Sequence, residues 1–254
     1  MGIQYQQDQG VATITLDRPE KKNAITAEMY EAIVARLKEA SEDRAVRVVV
    51  ITGAGNAFTG GQDLKGFADP RFIQPDSPIL SFMHALAGFE KPVIAAVNGI
   101  AVGIGVTMLL HCDLVYVADN ATLSTPFTGL GLVPEFASTL LFPMIAGRVR
   151  ATETLVLGKP FVAAEAVVMG IANAVVPAAE LMGHVQAVAR KLAALPPGSV
   201  RESKRLLRQA LGSAVQETIR REASHFAPRL AGGEAREAIA AIIEKRPPDF
   251  SKFG

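Results

Sequence analysis

The chain has 254 residues, 49% of them apolar and 20% charged, which allows one large domain, or a domain plus an appendage, around a sizeable core. Its 26 basic and 25 acidic residues leave a net charge of +1, which argues against a dedicated nucleic-acid binder. The single Cys112 excludes an intramolecular disulfide and fits a reducing, cytoplasmic setting.

MGIQYQQDQG has neither the basic nor the apolar region of a secretory signal, and Gln6 stands where a myristoylation signal needs Ser or Thr. No apolar run has the length and continuity of a membrane span, so no membrane partner is expected. IQYQQ and VATITL alternate around DQG and predict a β-hairpin. Thr26 is placed to cap a helix with Met29, Ile33 and Leu37 on one stripe. RVVVITG, PVIAAVNG and LVYVAD are continuous apolar runs, the pattern of strands buried on both faces. Strands alternating with helices predict α/β architecture. From Pro196 the chain turns charge-rich, amphipathic and strandless. The expected division is a core over 1–195 and a helical region over 196–254, laid on that core or on a neighbouring subunit. Whether the Pro- and Asp-rich segment 67–81 orders only over a substrate is left open by the sequence.

Two glycine-rich stretches follow the buried runs. GAGNAFTGGQDLKG fails the dinucleotide template at Phe58, and it fails the P-loop template at Gly61 and Gln62. What remains is a tight loop with φ > 0 at Gly60 or Gly61. In NGIAVGIGVTMLLHCD, Gly103 and Gly105 open an apolar helix. Its free N–H groups can stabilise an oxyanion, or the glycines simply permit a close helix–strand crossing. His84, His111, His184 and His225 show no metal-ligand spacing, and His111 reads as a packed helix-end histidine. Asp63 reads as a cap of its loop or of the next helix. Arg201, Lys204, Arg205 and Arg208 share a helix face, read as solvated.

Glu135 is the only charge between Asp119 and Arg148. Two readings stay open on the residues alone. Pro134-Glu135 can be the first turn of a helix FASTLLFPMI, stabilised by its dipole. Alternatively Glu135 is buried, with its pKa raised for proton chemistry.

LDRPEKKNAIT, AFTGGQDLKGF, KPVIAAVNGIAVGIG, CDLVYVADNATLSTPFTGLGLVP, GKPFVAAEAVVMGIANAVVP and EKRPPDF occur in that order along nearly the whole chain. Together they resemble the crotonase, or enoyl-CoA hydratase/isomerase, family. The resemblance implies a spiral of ββα units with C-terminal helices used in a homotrimer or a dimer of trimers. It implies an acyl-CoA thioester as partner, and no metal, flavin or nicotinamide cofactor. It places the oxyanion donors at the backbone N–H groups of Gln62 and Ile104, where Ile replaces the usual Gly. It points to Lys22, Ala24, Ala57, Thr59, Gly60, Gly61, Asp63 and Leu64 for substrate and coenzyme A, and to Thr107, Phe127 and Leu132 for the acyl pocket. The two glutamates of the family's hydratases fall at Thr107 and Phe127, neither acidic. AVGIGVT and TPFTGLGLVPEF look like the peroxisomal-type 3-enoyl-CoA to 2-enoyl-CoA isomerases, which implies Glu135 as proton shuttle. The alternatives are a hydratase or another crotonase-type lyase, and a non-catalytic acyl-CoA-binding protein.

Overall fold

The valine-rich runs become the centre of a sheet. The computed structural model describes residues 2–254 apart from Lys65, Phe67, Ala68 and Pro75, and the side chains of Pro70 and Ile73 are also left aside. Of the segment 67–81, Phe67, Ala68 and Pro75 therefore lie outside the described residues, while 70–73 form a 3-10 turn capped by Asp69. β1 (Ile3–Asp8) and β2 (Val11–Leu16) form the predicted antiparallel hairpin, turning through Gln9 and Gly10 at positive φ. β3 (Val48–Gly53) and β5 (Val93–Val97) are buried at every residue, as their uninterrupted apolar sequence requires. With β7 (Leu114–Ala118) and β10 (Ala174–Val176) they complete a six-stranded sheet of order β1-β2-β3-β5-β7-β10. Every pairing in it beyond the hairpin is parallel.

After β3, β5 and β7 the chain turns and contributes a short strand to a second sheet. These are β4 (Ala57–Thr59), β6 (Ile100–Val102) and β8 (Thr122–Ser124), with β9 (Phe161–Val162) antiparallel at the edge. Consecutive turns of chain thus stack the same way in both sheets, which is the ββα spiral of the crotonase fold.

Helix α1 (Ala27–Glu42) is capped by Thr26, whose Oγ1 accepts from Met29 N at 3.4 Å. Met29, Ile33, Leu37 and Ala40 form its buried stripe, each large side chain worth about 1.5–3 kcal/mol in transfer from water. α1 packs on α2 (Pro78–Ala87). The short α3 (Ile104–Thr107) follows β6. α4 (Ser138–Ala146), α5 (Arg148–Leu155) and α6 (Ala163–Val168) lie between β8 and β10. α7 (Leu181–Ala193) lays Leu181, Val185 and Ala189 on the large sheet. α8 (Pro197–Gln209), α9 (Gly212–Leu230) and α10 (Gly233–Glu244) make up the strandless C-terminal region.

The basic face of α8 is not the solvated one that charge spacing suggests. Lys204 is buried; its Nζ donates to Lys91 O and pairs with Asp113 Oδ2, both at 2.7 Å. Arg208 pairs with Asp113 Oδ1 at 2.8 Å and donates to His111 O. Arg201 and Arg205 remain exposed. Lys204 and Arg208, four residues apart, descend on one acid 91 and 95 positions earlier in the chain, a contact that spacing within α8 cannot reveal. Among the described residues, no helix is long and apolar enough to cross a membrane.

Candidate active site

A cavity of about 730 Å³ opens between the two glycine loops, α2 and the C-terminal helices. Its walls are mostly apolar. Phe72, Ile79, Leu80 and Met83 come from one side, Phe127, Leu130 and Leu132 from another, and Ile219, Phe226 and Leu230 from α9, with Ile242 from α10. The last two helices therefore fold back over the cavity of their own chain.

The glycine loops meet because Gly61 permits it. Gly61 sits at φ +85, and a Cβ there would lie 2.6 Å from Val102 O. Only glycine combines that conformation with so close an approach. The positive φ expected at Gly60 or Gly61 thus falls on Gly61. The parallel bridge Ile25↔Gln62 uses Ile25 N to Gly61 O and Asp63 N to Ile25 O. Gln62 N–H faces the other way and makes no hydrogen bond within the described residues. Across the cavity, Gly103 (φ 55, ψ −116) leads into α3, and Ile104 N–H is at the helix start without an intrahelical acceptor. Ile104 has a helical backbone and a buried side chain, so its β-branch is accommodated where the family pattern has glycine.

Glu135 lines this cavity at 6% exposure. The helix-start reading does not hold. α4 begins at Ser138, and Phe136 (φ 62) and Ala137 (φ 55) separate Glu135 from it in left-handed conformations. Thr107 Oγ1 donates to Glu135 Oε1 at 2.6 Å. Oε2 is buried with no hydrogen-bond partner among the described residues. Burial pushes the carboxyl pKa up to about 8, against the Thr107 hydrogen bond and with a further push from Glu222. Chain isolation between Asp119 and Arg148 is thus not isolation in space, because α9 brings a second carboxylate close.

Of the sequence-derived residues, Gly60, Gly61, Gln62 and Leu64 line the cavity together with Ile104, Phe127, Leu132 and Glu135. Thr107 is corrected: it is fully buried beside Glu135 and does not form a wall of the cavity. Ala57 and Thr59 are also buried away from it, and serve as supports. Thr59 Oγ1 donates to Asn23 O at 2.7 Å and accepts from Gly61 N at 3.0 Å, and Ala57 O accepts from Asn23 Nδ2 at 2.7 Å. Lys22 O accepts from Gly60 N at 2.6 Å, while Ala24 O accepts from Arg18. Asp63 pairs with Arg18 at 2.6 Å, joining the loop to that same segment.

Two groups went unread in the sequence. Glu222 binds the backbone after Glu135, with Oε2 accepting from Ala137 N at 2.6 Å and Oε1 from Thr139 N at 3.0 Å. Tyr30, fully buried, carries a hydroxyl with no hydrogen-bond partner among the described residues, within electrostatic reach of Glu135. His111 is the packed histidine that was expected. Its ring stacks on Phe136 at 4.0 Å between centroids, and Nε2–H donates to Phe136 O at 2.7 Å. Burial lowers its pKa to about 4, so the ring is neutral.

Fold and loop architecture define a crotonase-type protein, and the family comparison agrees. The chain belongs to the enoyl-CoA hydratase/isomerase family, whose model matches residues 6–252. It is similar to "Enoyl-CoA delta isomerase 2" of Rattus norvegicus, 36% identical over 252 residues, which is 97% of this chain and 64% of that protein. The chain thus spans just under two thirds of the length of that relative. Among solved structures, Pseudomonas aeruginosa OdaA is 45% identical with a TM-score of 0.92, covering 95% of this chain and 98% of that one. An enoyl-CoA hydratase from Mycobacterium avium subsp. paratuberculosis K-10 is 29% identical with a TM-score of 0.90, covering 99% of each chain. The family is one of enzymes, and the similar proteins carry both isomerase and hydratase names.

Proposed function

We propose that this protein shifts a double bond from C3 to C2 of a 3-enoyl-CoA thioester, with Glu135 as the proton shuttle. The observation that carries the reading is the Glu135 carboxyl itself. It is a buried residue lining an apolar cavity, one oxygen is held by Thr107, and the other has no partner among the described residues. No other carboxylate lines the cavity among the described residues.

In this mechanism Oε2 removes a proton from C2, and the C2–H electrons pass into a dienolate spread over the thioester oxygen and C4. Gln62 N–H and Ile104 N–H hold that oxygen, each such donor being worth roughly 2.7–4 kcal/mol in comparable sites. Glu135 then returns the same proton to C4, which leaves the double bond conjugated at C2. A pKa near 8 makes the carboxylate a stronger base than an exposed one, and it falls in the range where a proton can be both taken and released. The apolar walls keep out water that would exchange with the proton or add to the product.

Ordinary hydration is less well supported, because Thr107 and Phe127 occupy the places of the hydratase acids. His84 also lines the cavity, its Nδ1 bonded to Gln216, and is a group suited to water chemistry. The same proposal includes assembly as a homotrimer or a dimer of trimers through the C-terminal helices, where Leu206, Leu207 and Ile243 are exposed.

The test is Glu135→Gln with a 3-enoyl-CoA substrate, following the rise of conjugated absorbance. Loss of turnover with thioester binding intact supports the assignment, and retained turnover removes it. Loss of conjugated absorbance from added 2-enoyl-CoA would identify hydration instead. Absence of deuterium exchange at C2 of a bound acyl-CoA would favour the silent binder.

A further inference from the structure

Glu222 is a buried carboxylate, 5% exposed, that does not line the cavity. Its oxygens accept hydrogen bonds from Ala137 N, Thr139 N and Thr139 Oγ1. Burial pushes the pKa of this carboxyl up, and the three donors oppose that by stabilising its ionised form. Those donors belong to two residues, Ala137 and Thr139, two and four positions after Glu135. Between them and Glu135 the backbone is in an uncommon state, with Phe136 and Ala137 consecutively in the left-handed region. Neither is glycine, and such a pair persists only where its surroundings hold it. The holding contacts are Glu222 on Ala137 and Thr139, and His111 on Phe136 O. α4 has no side-chain cap of its own at Ala137, so Glu222 supplies one from α9.

We propose that Glu222 is a positioning residue for the isomerisation: by clamping the backbone after Glu135 from α9, it fixes the left-handed pair that turns the Glu135 carboxyl onto the cavity. This rests on the reading of Glu135 as the base. The clamp carries a charge as well as a shape. Removing that charge from beside Glu135 makes the Glu135 carboxylate easier to form, so the acid limb of the pH profile moves to lower pH. The other titratable or charged groups around the pair do not change in the variants. They are Tyr30 on α1, His84 on α2, His111 and its neighbour Arg208, and Arg220 and Arg221 on α9.

Two substitutions separate charge from reach. Glu222→Gln keeps length and removes charge. Glu222→Asp keeps charge but is one methylene too short to hold all three donors. The assay is kcat, KM and the pH dependence of kcat/KM for a 3-enoyl-CoA, at a temperature where melting curves show each variant folded, with Glu135→Gln run alongside. The expected result is a loss of kcat on the order of 100-fold in both variants with KM little changed, as for a catalytic group displaced by about an ångström. The acid limb should move down only in Glu222→Gln. If Glu222→Gln does not fold, the Asp variant decides on kcat and KM. Wild-type kcat and an unmoved acid limb in folded variants, with only a lowered Tm, would make Glu222 a plain helix cap and overturn the proposal. Should Glu135→Gln keep its turnover, the base assignment fails first and takes this proposal with it. Should it be inactive while the Glu222 variants match wild type, only the positioning role fails.

Discussion

Thr107→Val is the sharpest perturbation of the base, because it conserves shape at a fully buried position and deletes one hydrogen bond to Glu135. That bond, 2.6 Å from Oγ1 to Oε1, favours the ionised carboxylate and opposes the effect of burial, and the balance stands at about 8. A hydrogen bond to a charged group contributes about 1.5–3 kcal/mol. At ~1.4 kcal/mol per pKa unit, losing it raises the carboxyl by about one to two units. At pH 8 the wild-type group is half ionised. After a shift of that size only roughly a tenth to a hundredth is, so kcat/KM at pH 8 falls roughly 5- to 50-fold. The loss should shrink steadily as pH rises toward the new pKa, which distinguishes it from a packing defect. The assay is the pH profile of kcat/KM for a 3-enoyl-CoA, read as appearance of the conjugated product. An acid limb that stays in place, or moves to lower pH, refutes the role of Thr107 and with it the account of how Glu135 is tuned.

Glu135→Gln should stabilise the fold while it removes turnover. The folded carboxyl binds its proton up to about pH 8 and the unfolded one only to about 4.5, so between those values the native state holds more protons and stability falls as pH rises. The variant escapes this, so its advantage in unfolding free energy should grow from pH 5 to pH 8, reaching a few kcal/mol at ~1.4 kcal/mol per pKa unit, and its advantage in Tm should grow with it; a constant or shrinking advantage would contradict the burial of the ionised group. Gly61→Ala puts a Cβ 2.6 Å from Val102 O at φ +85, so it should lower Tm, with about 1–3 kcal/mol from the backbone conformation alone, and lower kcat by moving Gln62 N–H. Melting curves and kinetics on the same preparation check both effects. Ile104→Gly removes a buried side chain but keeps the N–H donor, so kcat should stay close to wild type while stability drops by roughly 2–5 kcal/mol.

Much of the fold was legible because its signals are local. The valine runs of β3 and β5 admit only strands covered on both faces, and Thr26 with its stripe at spacing four could hardly be anything but a capped helix. Glu135 was legible too, as a charge with no charged neighbour over a long apolar stretch. The contacts that tune it were not, because they join distant parts of the chain. Thr107 was read as a wall of the acyl pocket, since nothing near it in sequence shows that a carboxyl 28 positions on will accept its hydroxyl. Glu222 left a fainter mark. It lies among exposed charges in QETIRREASH, yet Ile219, Glu222, Phe226 and Leu230 fall three or four residues apart along one helix face. An acid inside an apolar stripe is the same kind of signal as an acid inside an apolar window, seen at the helical period instead of along the chain.

That equivalence bears on how the site divides its work. Two carboxylates approach each other from segments 87 residues apart, and burial raises the pKa of both. Their hydrogen-bond partners then separate them. Glu222 accepts from three donors on the 137–139 backbone and side chain, so its charge is stabilised in place and it has no free oxygen for substrate. Glu135 lines the cavity with one donor and one oxygen that has no hydrogen-bond partner among the described residues, so its charge is the one free to come and go. Neighbouring acids whose surroundings differ in this way take different roles, the fully bonded one as fixed electrostatic support and the under-bonded one as the group that exchanges protons. On that logic a variant that strips Glu222 of its donors should not create a second base, because its carboxylate lies behind the loop and off the cavity wall.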